Sequence, residues 1–180
     1  MPVKSSAQAA DGIPMRGTLK VTVRDARTGK VIRCMEKRNK ITFLAANILV
    51  ELMAQRATDP APLGDAVYSM RMGTSTVQPQ RSDTNLGAFV IGKVIGDAGK
   101  VNGAPGEIIY IATLESGDAN GSTLSEAGLF TGGTTFSASD TPGTAPGDTR
   151  MVAHQVYNGI AKTSAITVDY SWTLSFTASP

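Results

Sequence analysis

Ile166-Thr-Val-Asp-Tyr-Ser-Trp-Thr-Leu-Ser-Phe176 is the stretch that decides the fold. Ile166, Val168, Tyr170, Trp172, Leu174 and Phe176 fall on one side of an extended chain. Thr167, Asp169, Ser171, Thr173 and Ser175 fall on the other. A period of two held this long is the pattern of a strand with one face on a core. Left undocked, so apolar a strand would be a long adhesive edge. The expected fold class is therefore mainly β, an antiparallel sandwich closed by this strand. Trp172, Tyr170 and Phe176 are its expected core anchors. The penultimate strand, over 151–157, is the expected neighbour, because Asn158-Gly159 can turn the chain between them.

Working outward, the same reading gives about eight strands. Leu19, Val21 and Val23 alternate with Lys20, Thr22 and Arg24, and a second strand follows the Asp25–Lys30 turn, where Gly29 can take positive φ. The two form an N-terminal hairpin over 18–36. Further strands are expected over 67–72, 89–95, 107–114 and 124–130. Leu129 is a core anchor in the last of these, and Gly128 marks a bulge or a close approach. Asn102-Gly103 marks a reversal. One long helix is expected over 40–56. Ile41, Leu44, Ala45, Ile48, Leu49 and Leu52 share a helical face, with Leu49 as its anchor. Asn39 is the expected N-cap, and Asp59-Pro60 stops the helix. Residues 1–16 lack periodicity and read as an arm. The remainder, 17–180, reads as a single β-rich domain with a protruding polar loop over 131–150, where Phe136 is the large apolar residue.

Bulk composition narrows the function classes. The chain has 180 residues, enough to bury about two thirds of its unfolded surface. Seventeen basic residues against fifteen acidic give a net charge of +2, far from the balance of a dedicated nucleic-acid binder. Direct nucleic-acid binding is not expected: Arg33, Lys37, Arg38 and Lys40 cluster without interleaved aromatics. Cys34 is the single cysteine, so no internal disulfide forms. No run is long and apolar enough for a membrane helix, and no signal peptide is read, so the expected site of synthesis is a reducing cytoplasm.

The templates of catalysis fit poorly. His154 is the only histidine and lies in a predicted strand, where a core or surface role outweighs general-base work. No Gly-x-Ser-x-Gly elbow, phosphate loop or dinucleotide fingerprint occurs. One histidine and one cysteine do not make a zinc site. Asp118-Ala-Asn-Gly-Ser122 resembles the start of a calcium loop, but its glycine falls too early and the closing glutamate is missing. No catalytic residue, metal or cofactor is expected. A dispersed carboxylate pair, as in a cell-wall hydrolase, stays open.

Three segments in order carry a resemblance. They are Tyr68-Ser-Met-Arg-Met-Gly-Thr-Ser-Thr-Val-Gln-Pro-Gln-Arg-Ser-Asp-Thr-Asn-Leu-Gly87, Ala119-Asn-Gly-Ser-Thr-Leu-Ser-Glu-Ala-Gly-Leu-Phe130 and Lys162-Thr-Ser-Ala-Ile-Thr-Val-Asp-Tyr-Ser-Trp-Thr-Leu-Ser-Phe176. Together they resemble a family of small tail-associated structural proteins of tailed bacteriophages. The likeness covers roughly 39–176, and departs where Ser75 replaces the family's second loop glycine. It implies a non-catalytic virion subunit of the tail, baseplate or neck/collar, ringed with copies of itself and joined to neighbouring virion proteins. Lys4, Arg24, Arg33, Lys37, Arg38, Lys40 and Phe136 are the candidate assembly contacts; the basic face of the hairpin reads first as a solvated face and otherwise as a dock for an acidic partner. The alternative is a fibre-associated module whose loops bind a host glycan or surface protein.

Overall fold

A computed structural model describes residues 15–45, 67–95, 99–131 and 149–176. Ten strands are seen among them: β1 (Met15–Asp25), β2 (Val31–Arg38), β3 (Lys40–Ile41), β4 (Val67–Gly73), β5 (Phe89–Val94), β6 (Lys100–Asn102), β7 (Glu107–Leu114), β8 (Thr123–Thr131), β9 (Met151–Ala161) and β10 (Ile166–Phe176). All pair antiparallel, in two five-stranded sheets. The first runs β2-β1-β10-β7-β6 and the second β3-β9-β8-β4-β5. The mainly-β class is thus as read, with β3 and β6 added to the expected strands.

The closing strand does what its alternation requires, but in a different place. β10 does not pair with β9. It lies at the centre of the first sheet, between β1 and β7, while β9 belongs to the second. The reason lies in the connection. Ala26 donates its backbone N–H to Ala165 at 2.8 Å, which delivers β10 beside β1. The two strands then pair through eleven residues, from Met15 opposite Phe176 to Asp25 opposite Ile166. Met15 and Arg16, expected in the arm, are therefore strand. The N-terminal hairpin is part of the first sheet, with β1 an interior strand and β2 an edge.

Cross-strand rows show how the core is filled. Trp172 lies between Leu19 and Tyr110, and Tyr170 between Val21 and Ala112. Large rings thus alternate with smaller neighbours, which lets facing layers interlock. From the second sheet, Met70, Leu129 and Ala153 form one inward row. The Tyr157 and Tyr170 hydroxyls meet at 2.9 Å and join the sheets. Trp172, Tyr170 and Leu129 are fully buried. Phe176, at the strand end, is only partly buried.

The helix expected over 40–56 is not supported as read. Lys40 and Ile41 instead pair with His154 and Ala153 on β9. The described helical residues are 43–45, and Thr42 rather than Asn39 caps them: its Oγ accepts from the Ala45 N–H at 3.4 Å. Thr42 is tied to β9 through its N–H, which reaches the Val152 carbonyl at 3.1 Å. Strand pairing therefore claims the residues that helical periodicity assigned to the first turn. The rest of the expected helix, with Leu49, lies outside the described residues, as do Lys4 and Phe136.

Replacing Trp172 with alanine should cost about 3–5 kcal/mol, the range for a buried large aromatic. Denaturant unfolding reads this directly, and an unshifted midpoint would remove Trp172 from the core.

Candidate functional site

The second sheet is buried on both faces, and the chemistry lies on the outer one. Segment 74–88 folds over that face, and Leu86 packs there with Phe130 and Met151. Beneath it Glu126, on β8, has no exposed surface. A buried carboxylate is costly unless every lone pair is met. Here the donors come from the covering segment. Oε1 accepts from the backbone N–H of Ser75 at 3.1 Å and of Ala88 at 2.8 Å. Oε2 accepts from the Gly87 N–H at 3.0 Å and faces His154 Nε2 at 3.1 Å. On the other side of the ring, His154 Nδ1 lies 2.7 Å from Asp83 Oδ2. The same Asp83 oxygen also accepts from the Gln80 N–H at 2.7 Å.

With a carboxylate at each ring nitrogen, His154 donates twice and is an imidazolium. Burial opposes that charge, but the hydrogen bonds from Glu126 and Asp83 outweigh it and raise the His154 pKa above its ordinary value. Burial likewise pushes Glu126 up, and the bonds from His154, Ala88, Gly87 and Ser75 outweigh it, so its pKa ends lowered. The register row through His154 also holds Gly128, Arg71 and Lys40. The Arg71 guanidinium stacks 4.5 Å over the Phe130 ring.

The glycines around this cluster make room rather than turns. A Cβ on Gly73 would collide with the Ala88 carbonyl oxygen and Glu126 Oε1, and one on Gly87 would lie 2.6 Å from Ser75 Oγ. Gly128 is a close approach, as expected: its Cβ would lie 2.8 Å from the Phe130 ring. Ser75, where the chain departs from the family pattern, is fully used. Besides its N–H, its carbonyl accepts from Ser125 Oγ at 3.0 Å and its Oγ accepts from the Val77 N–H at 3.2 Å.

A second cluster occupies the segment likened to a calcium loop. The Lys162 ammonium reaches in and donates to the Thr163 carbonyl at 3.0 Å, Asn120 Oδ1 at 3.3 Å and the Ser116 carbonyl at 3.4 Å. Of the oxygens that suggested a cation site, Asn120 Oδ1 takes the Lys162 ammonium and Asp118 Oδ2 pairs with Lys93. Burial pulls the Lys162 pKa down, against Asp118 and Glu115. Paired backbone bonds between Lys162 and the 121–122 turn complete the junction.

Chemically, the His154 cluster is a clasp. Both ring nitrogens are occupied by carboxylates, so neither is presented to a reactant. The depression beside it, lined by Ser75, Val77, Gln80, Asp83, Asn85 and His154 among others, holds about 110 Å³. Small-molecule sites run to about 300 Å³ and more. Among the described residues, no group of three His, Cys, Asp or Glu side chains is arranged to hold a metal ion. No described helix is long and apolar enough to cross a membrane.

Among the described residues the expected assembly contacts lie on β1, β2 and β3. Arg24 is paired with Asp169 at 2.7 Å, and Arg33 donates to the Gly159 carbonyl at 3.3 Å. Lys37, Arg38 and Lys40 are exposed. The partnership of Asp83, Glu126 and His154 was not foreseen. Its signal was a glutamate inside the apolar run of β8, which has to find donors somewhere. Comparison with protein-family models, curated proteins and solved structures found no match to this chain.

The clasp fixes the sign of a pH dependence. His154, with its pKa raised, contributes fully below its ordinary 6.5, and the contribution is lost as pH rises through the folded value. Glu126, with its pKa lowered, contributes above its ordinary 4.5, and the contribution is lost as pH falls through the folded value. Stability from the clasp should therefore peak between 4.5 and 6.5. At a pH of about 5.5, His154→Gln should cost on the order of 3 kcal/mol, the scale for breaking a buried ion pair. It should also flatten the alkaline decline in a melting-temperature series. A variant whose profile matches the parent would show that His154 carries no charge-dependent stability.

Proposed function

We propose that the chain is a non-catalytic structural protein of a tailed-bacteriophage virion. It would be a subunit of the tail, baseplate or neck/collar, assembled as a symmetric ring with its own copies and joined to neighbouring virion proteins. One observation carries this reading. The segments that bear the family resemblance supply much of both clasps, with His154 added to the first from β9, and the core strand. Gly73, Asp83, Gly87, Glu126 and Gly128 build the first clasp, Asn120 and Lys162 the second, and Trp172 sits in the core. These positions have architectural roles, which supports reading the chain as a building block. In this reading the residues before β1 reach a neighbouring subunit. Ordering such an arm on a partner adds contact area without disturbing the domain, and closed rings are the common form of such assemblies.

Two measurements test it. Electron microscopy of particles carrying a gold label on one terminus should place the label in a symmetric band at the tail or neck. Label absent from purified virions would refute the reading. Removing residues 1–14 should leave the melting temperature of the purified domain unchanged and reduce its incorporation into particles. Normal incorporation would remove the arm from the mechanism.

A further inference from the structure

Among the described residues, the two sheets end in four edge strands: β2, β6, β3 and β5. β3 has two residues and β6 three, too short to template a partner. β5 has six and is mostly half-buried. β2 differs. It has eight residues, and β1 is its one strand partner among the described residues. Its outward row of N–H and C=O groups therefore offers a site for one more strand. At its start, Val31 and Ile32 are 46% and 60% exposed.

Charge selects what that strand can be. Lys30, Arg33, Lys37, Arg38 and Lys40 against Glu36 give this short region +4, while the whole chain carries +2, leaving −2 for the rest. Register places the cations on both sides of the sheet. Lys37 and Arg33 lie opposite the inward-facing Leu19 and Val23, and Arg38 lies opposite Thr18 on the outer face. No ion pair among the described residues engages Lys37, Arg38 or Glu36. A second copy pairing through this edge would bring like charges together. The same charges that repel a copy attract an acidic strand, so one feature works against the wrong partner and for the right one.

We propose that β2 is a strand-addition site for an extended acidic segment of another protein. That segment would extend the first sheet beyond β2, cover Val31 and Ile32 with an apolar residue, and place carboxylates against Arg33, Lys37 and Arg38. Main-chain hydrogen bonds give such a complex its affinity, and side chains on alternate positions give it specificity. The inference deepens the assembly reading and rests on it for the partner's being a virion protein.

The test uses the purified full chain and no virions, so its outcome is separate from that of the labelled particles. The probe is a synthetic eight-residue peptide matched to the length of β2, with glutamates on both faces and valine or threonine at the remaining positions. Calorimetry should detect binding, and hydrogen exchange should show slowed amides within 31–38. Replacing Lys37 and Arg38 with glutamate should weaken binding by about threefold to tenfold, with the melting temperature checked to confirm folding. A peptide N-methylated at alternate residues keeps the charge and loses one hydrogen-bonding edge, and it should not bind. The proposal is overturned if the parent peptide does not bind, if the methylated peptide binds equally, or if an oligonucleotide of equal charge protects the same amides. Concentration-dependent pairing of two copies through β2 would also overturn it, by naming a different occupant.

Discussion

The buried Glu126 carboxylate is the constraint to which the second sheet is built. Taking a carboxylate wholly out of water costs several kcal/mol unless its lone pairs are met. Three backbone amides and one imidazolium meet them here. Much follows from that requirement. The covering segment must approach closely enough to aim its N–H groups, so Gly73 and Gly87 cannot carry side chains. His154 must be charged, and Asp83 must balance its far nitrogen. A polar group in this setting enforces one arrangement of segment on sheet, because any slip leaves a buried charge without donors.

The two sheets consequently have different exteriors. The second is covered on its outer side and carries its polar cluster indoors. The first faces outward with hydroxyls and charges in register: Thr18 with Thr173, Lys20 with Ser171, Thr22 with Asp169. Asp169 pins this face by accepting from Arg24 at 2.7 Å and from Thr113 at 3.0 Å. The interior is shared, through the Tyr157–Tyr170 hydroxyl contact and the rows flanking Trp172. The buried polar cluster therefore belongs to the second sheet, and among the described residues the long open edge belongs to the first.

Local pattern exposed much of this architecture, and non-local pairing hid the rest. Period-two alternation located β1 and β10 because each has one dry and one wet face. It could not tell where β10 sits, since the same apolar face fits beside β9 or between β1 and β7. The helix reading erred where Ile41 met both periodicities and only pairing with Ala153 could decide. For the candidate site, Glu126 and Lys162 lay within quoted segments, but His154 and Ser75 lie 28 and 51 residues from Glu126, and Asn120 lies 42 from Lys162. His154 read as a bystander because a histidine's role depends on what faces its two nitrogens.

The sequence by itself determined the mainly-β class, the positions of the principal strands and the burial of Trp172, Tyr170 and Leu129. Those follow from side-chain alternation, a property of a few adjacent residues. Tertiary structure alone decided the strand order, the pairing of Asn120 with Lys162 and of Asp118 with Lys93, and the charge on His154. Each of these depends on which distant groups share a dielectric environment and a hydrogen-bond distance. A linear pattern carries neither.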